Sequence, residues 1–148
     1  MGKILVVDDQ IGVRSLLVEI FREDDYEVEM ASNGEEALRV FSSFEPDLIL
    51  LDMKMPPGMN GLETLAKIRL LDRRVSVIMM TGNEDPHNTE QAKELGILGY
   101  LAKPFDLFEL REWVKEILTD SEEITKETTE KVANSNSPCD RAKHHIPE

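Results

Sequence analysis

Short apolar runs alternate along this chain with longer stretches in which apolar residues return every three or four positions. Ile4–Val7, Leu48–Leu51, Val75–Met80 and Ile97–Ala102 are compact runs, the pattern of strands covered on both faces. Tyr26–Ala31 alternates instead, with Tyr26, Val28 and Met30 set against Glu27 and Glu29, which predicts a strand with one wet side at a sheet edge. Between these runs the period changes. Val13, Leu16, Leu17 and Ile20 stand at i, i+3, i+4 and i+7, so a helix from Gln10 should turn those four inward. Ala37, Leu38 and Phe41 mark a second helix, opened by a Ser32/Glu35 capping box and ended by Pro46. Asn60-Gly61-Leu62-Glu63 caps a third, which leads through Leu62, Leu65, Ala66, Ile68 and Arg69.

The fourth helix should start with Asp85 as cap and Pro86 in its first turn. Ala92 and Leu95 are nearly its only apolar residues, so it should lie shallowly buried and move more than the others. Asp106 and Glu109 cap the last helix, which carries Leu107, Leu110, Val114, Ile117 and Leu118 on one face. Strict alternation of strand and helix predicts a parallel sheet wrapped on both sides by right-handed crossovers. That pattern occupies residues 1–119. Residues 120–148 are polar, rich in Ser, Thr, Glu, Asn and Lys, and contain the breaker Ser135-Asn136-Ser137-Pro138. This extension should prolong the last helix for a turn or more and then become a flexible tail.

Composition narrows the function. With 30 acids against 17 Lys and Arg, the formal net charge is −13. That is a poor footing for nucleic acid and a good one for cations. One cysteine, Cys139, makes no internal disulfide and fits a reducing cytosol. The apolar run at the N-terminus is too short for a signal-peptide core or a membrane span. A cytoplasmic protein with no membrane partner is the expectation.

The candidate chemistry lies where strands end. Asp8 and Asp9 follow the first strand, Asp52 the third, Thr81 the fourth and Lys103 the fifth. In a parallel sheet all of them emerge on the edge where such sheets bind ligands. Asp52 by itself has four readings: a core defect, a turn former, a metal ligand or a nucleophile. Each of the others by itself is ordinary turn chemistry. Together they put crowded carboxylates, which repel and raise a pKa unless a cation intervenes, next to an ammonium and a hydroxyl. Oxygen ligands of this kind suit Mg2+, with Mn2+ as an alternative, and Lys103 with Thr81 suits a phosphoryl group.

These residues resemble the receiver domains of two-component response regulators, the chemotaxis-receiver-like family. The resemblance rests on Val6-Val7-Asp8-Asp9, the Asp52-x-x-Met55-Pro56 turn, Gly58-Met59-Asn60-Gly61, Met80-Thr81-Gly82 and Tyr100-Leu101-Ala102-Lys103-Pro104-Phe105, in order across about residues 3–118. It implies a flavodoxin-like doubly wound (βα)5 sandwich of strand order 2-1-3-4-5, an order taken from the family and not from this sequence. It implies that Asp52 accepts a phosphoryl group from a sensor histidine kinase or phosphotransfer protein. Asp9, Asp52 and the Lys54 carbonyl would ligate Mg2+, with Asp8 acting through water. Lys103 would pair with Asp52 before transfer and with the phosphoryl oxygens afterwards. Thr81 and Tyr100 would switch the surface of the last helices, and a cis Lys103–Pro104 bond would aim the ammonium. A stand-alone receiver of this kind is a phosphorylated signalling module with no separate substrate turnover, a monomer or a phosphorylation-dependent dimer.

One departure concerns the turn after Asp52. Where the family has Met-Pro-x-Met-Asp-Gly, this chain has Met55-Pro56-Pro57-Gly58-Met59-Asn60-Gly61, one residue longer and with Asn for the acid. Lys54 and Asn83 hold the positions that tune acyl-phosphate lifetime in the family. Tyr100 without that context is as well read as a strand aromatic. The methionines read as packing residues, and His87, His144, His145 and Cys139 as surface or tail residues. Two other functions compete. A haloacid-dehalogenase-like phosphatase needs nucleophile and acid two residues apart after the first strand, whereas here the acids are adjacent and the nucleophile candidate is on the third. A receiver cut from a longer DNA-binding or hybrid-kinase regulator would carry the same motifs.

Overall fold

A computed structural model describes residues 2–54, 59–82 and 86–126. Strands β1 (Lys3–Val7), β2 (Glu27–Ala31), β3 (Leu48–Asp52), β4 (Ser76–Thr81) and β5 (Gly99–Ala102) alternate with helices α1 (Ile11–Glu23), α2 (Gly34–Phe44), α3 (Gly61–Leu71), α4 (Pro86–Glu94) and α5 (Leu107–Lys126). The strands form one sheet in the order β2-β1-β3-β4-β5, every pairing parallel. This is the flavodoxin-like order.

The compact apolar runs are compact because both faces of the sheet are covered. Leu5, Val7, Ile49, Leu51, Val77 and Met79 pack with Ala37, Phe41, Leu65, Ile68 and Ala92, on the side of α2, α3 and α4. Ile4, Val6, Leu48, Leu50, Ile78 and Met80 pack with Leu17, Phe21, Leu110, Trp113 and Val114, on the side of α1 and α5. Every residue of β3 is buried, and each aliphatic side chain there contributes about 1.5–3 kcal/mol by leaving water. β2 is an edge strand, with Glu27 and Glu29 in solvent.

Several local expectations shift. α1 buries Leu17, Val18 and Phe21, whereas Leu16 stays 43% exposed. The large Phe21 ring turns the contact stripe toward itself, and Val13 and Ile20 pack only at its border. On α3, Thr64 is buried with Leu65 and Ile68, whereas Ala66 is exposed. On α5, Trp113 joins Leu110, Val114 and Leu118 in the core. The α2 cap is Asn33, not Ser32: its side chain accepts from the Glu36 N–H at 2.8 Å, and the Glu36 carboxylate accepts from the Ser32 N–H and hydroxyl. β5 starts at Gly99 because Gly96, at φ 81°, ends α4 in a left-handed turn and the chain needs the next residues to reach the sheet. The α3 box is as expected, with Asn60 and Glu63 each accepting the other's backbone N–H. Asp85, Asn83, the whole Met55–Gly58 turn, His144, His145 and Cys139 fall outside the described residues.

Candidate functional site

Asp8, Asp52, Thr81 and Lys103 come to one edge because each stands where a parallel strand stops. Asp8 follows β1, Asp52 and Thr81 are the last residues of β3 and β4, and Lys103 follows β5. A cleft of about 330 Å3 opens there, lined by Asp9, Gln10, Asp52, Met53, Lys54, Thr81, Gly82 and Lys103. Asp8, Asp52 and Thr81 are buried, whereas Asp9 is exposed at the mouth.

Burial of a carboxylate needs compensation. Asp8, wholly buried, accepts from the Gln10 N–H at 2.9 Å in an Asx turn and from the Lys103 ammonium at 2.7 Å. Lys103 Nζ also lies 3.4 Å from Asp52, the pairing the family resemblance implies, with Asp8 the closer of its two partners. The Asp52 carboxyl is pushed up to about 6, first by burial and then by the Asp8 charge, with Lys103 and the Lys54 N–H opposing. Burial pulls the Lys103 ammonium down, but the hydrogen bond to Asp8 and the two carboxylate charges outweigh it and leave its pKa raised. Carboxylate oxygens of Asp8, Asp9 and Asp52 all lie within 4.8 Å of one another. Hard oxygen donors at that spacing, with one acid exposed to a cleft, fit a divalent cation such as Mg2+.

The Lys103–Pro104 peptide is cis, the form the resemblance implies. Tyr100 is 3% exposed and belongs to the core cluster containing Ala92, so its ring is inward in this conformation. Lys54 is exposed, with its N–H 3.5 Å from Asp52 Oδ1. Sequence reasoning missed Arg14, whose guanidinium donates to the Asp8 carbonyl at 2.8 Å and braces the loop carrying Asp8 and Asp9. Its place one turn into α1 was legible, but its reach back over the loop was not. Gln10 was legible in principle, since an Asp two residues earlier is an Asx-turn signal.

A doubly wound parallel sheet with acids, a hydroxyl and an ammonium at its carboxyl edge suits cation-assisted phosphoryl chemistry. The family model described as response regulator receiver domain matches residues 4–115, and the chain belongs to that family. It is 46% identical over 116 residues to sporulation initiation phosphotransferase F of Bacillus subtilis, across 78% of this chain and 93% of that protein. It is 38% identical over 120 residues to the alkaline phosphatase synthesis transcriptional regulatory protein PhoP of the same organism, across 81% of this chain but 50% of PhoP. Among solved structures it is similar to response regulator protein TrrA of Thermotoga maritima in complex with Mg2+ and BeF, at 39% identity and a TM-score of 0.69, across 79% of this chain and 99% of that one. The protein is therefore a receiver, the phosphoryl-accepting module of two-component signalling. Receivers bind Mg2+ at an acidic pocket and take part in exchange with histidine kinases or phosphotransfer proteins. Among the described residues no helix is long and apolar enough to cross a membrane.

Proposed function

We propose that Asp52 is the phosphoryl acceptor of this receiver. The observation that carries the reading is a buried carboxylate at a cleft, 3.4 Å from an ammonium and clustered with two further acids. An Asp52 oxygen attacks phosphorus, the phosphorus–nitrogen bond of the donor's phosphohistidine breaks, and the imidazole takes the electron pair as an acyl phosphate forms. Asp9, Asp52 and the Lys54 carbonyl would hold Mg2+, or Mn2+ in its place, with Asp8 through water. When bound, the cation neutralises charge on the acids and on the transferring phosphoryl oxygens.

Lys103 holds Asp8 and Asp52 in the resting site and is close enough to turn to the phosphoryl oxygens. Thr81, at the end of β4 and lining the cleft, would supply a hydroxyl to the phosphoryl group, and Tyr100 would respond to its movement from within the core. Receivers are signalling phosphoacceptors, and we extend this to a chain that promotes its own phosphorylation and dephosphorylation without turning over another substrate. Residues 1–119 are the receiver and 120–148 an appended polar extension. The expected setting is the cytoplasm, with a histidine kinase or phosphotransfer protein as donor. The coverage of 93% of phosphotransferase F supports a stand-alone receiver, while 50% of PhoP keeps the reading of a piece of a longer regulator in view.

Incubation with acetyl phosphate and Mg2+, followed by intact-mass measurement, tests the assignment. One added phosphoryl group is expected, removed by hydroxylamine and absent from Asp52→Ala. Labelling that persists in Asp52→Ala would sink it.

A further inference from the structure

We propose that Gly61 is a positioning residue for the phosphoacceptor: its missing Cβ lets the first turn of α3 rest its backbone on the Asp52–Met53 peptide, and that contact sets where the Asp52 carboxylate stands. The inference rests on the reading of Asp52 and its acidic neighbours as the phosphoryl and cation site.

Gly61 is buried and opens α3, directly after the Asn60 cap. A Cβ built on it overlaps the Asp52 carbonyl oxygen and lies 2.8 Å from Met53 Cα and 2.9 Å from Asp52 C. All three are backbone atoms, which cannot rotate aside as a side chain can. The glycine is not required for its conformation: among the described residues Gly96 is the one glycine in left-handed backbone. What Gly61 supplies is space. Its N–H donates to the Met53 carbonyl at 2.8 Å, while the Met53 N–H donates to Met80 of β4 at 2.8 Å. The peptide after Asp52 is thus held between β4 and the start of α3. An added methyl must move α3 outward or push that peptide, and the second shifts Asp52 against Asp8, Asp9 and Lys103. The same hydrogen bond closes the turn that is one residue longer than the family pattern.

Two other glycines provide controls. Gly34 is buried too, but its Cβ would meet side chains: the Thr64 hydroxyl, and Met59 Cβ at 3.1 Å. Gly12, on the exposed side of α1, would meet nothing within 4 Å. Gly12→Ala should raise helix stability and leave the site alone, so it also serves as a stabilised background.

The experiment is calorimetric titration of full-length Gly61→Ala, Gly34→Ala and wild type with Mg2+, each also in the Gly12→Ala background, with melting temperatures and labelling rates by acetyl phosphate alongside. Gly61→Ala should weaken Mg2+ binding by about tenfold or more and slow labelling with it. Gly34→Ala should lower the melting temperature while its Mg2+ affinity stays within about twofold of wild type. Folded Gly61→Ala with wild-type Mg2+ affinity overturns the inference. So does equal weakening by Gly34→Ala, or failure of Gly61→Ala to fold in the Gly12→Ala background, since the contact would then serve the fold and not the site. Wild-type protein that binds no Mg2+ is a different failure, and it would bring down the site reading on which the inference stands.

Discussion

Asp52 is an acid whose folded-state pKa stands near 6 against an ordinary 3.8, and the sign of that shift has a measurable consequence. Because the folded protein holds this proton more tightly than the unfolded chain, stability falls as pH rises from 3.8 through 6. Above that window, in metal-free protein, the ionised carboxylate costs about 2–3 kcal/mol, at roughly 1.4 kcal/mol per unit. Asp52→Asn in EDTA should therefore be more stable than wild type at pH 7, and the two should converge toward pH 4. Urea midpoints across that range measure it, and parallel pH profiles would contradict it. Asp8, the deeper of the two acids, accepts directly from the Gln10 N–H and the Lys103 ammonium.

At the scale of elements, α4 is the weak one, and its small apolar inventory said so in the sequence. Ala92 is its wholly buried apolar residue among those described. What the pattern did not show is that Arg69 reaches across from α3 to secure its far end. Its Nε donates to the Leu95 carbonyl at 2.6 Å, Nη2 to Gly96 at 3.1 Å, and Nη1 to Val75 at 2.8 Å and Asp72 at 3.3 Å. Burial pulls the guanidinium's pKa down, and the Asp72 charge opposes that. A cation on the last carbonyls of a helix is also favoured by the helix dipole. Arg69→Met should cost about 2–4 kcal/mol, since it strands several carbonyls, and hydrogen exchange should speed up in residues 90–98 before it does in β1 or β3. Uniform acceleration across the sheet would count against a local clamp. The cap of α2 allows a sharper test of a corrected boundary. Asn33→Ala should cost about 1 kcal/mol and Glu35→Ala almost nothing, as read from urea midpoints.

For the whole molecule, the −13 charge and the clustered acids predict that Mg2+ stabilises the fold by mass action. The melting temperature should rise with Mg2+ concentration in wild type and hardly move in Asp9→Asn or Asp52→Asn. Truncation after Thr119 should leave Mg2+ affinity within about twofold, because the acids belong to the sheet edge. Loss of binding on truncation would show that the extension belongs to the receiver.

The strand and helix alternation, the edge character of β2, the α3 capping box and the grouping of Asp8, Asp9, Asp52, Thr81 and Lys103 were all legible in the amino-acid sequence. Each is a local property: a hydrophobic period, a cap spacing, or a polar residue where an apolar run stops. The family resemblance added the strand order, which no local pattern contains. Tertiary structure alone decided that Lys103 turns to Asp8 before Asp52, that Phe21 displaces Leu16 from the core, that Arg14 and Arg69 reach over neighbouring loops, and that α3 rests on the Asp52 peptide through Gly61. These depend on distances between segments far apart in the chain. A side chain's best partner is settled by depth and packing, and neither quantity exists until the sheet and its helices have closed around it.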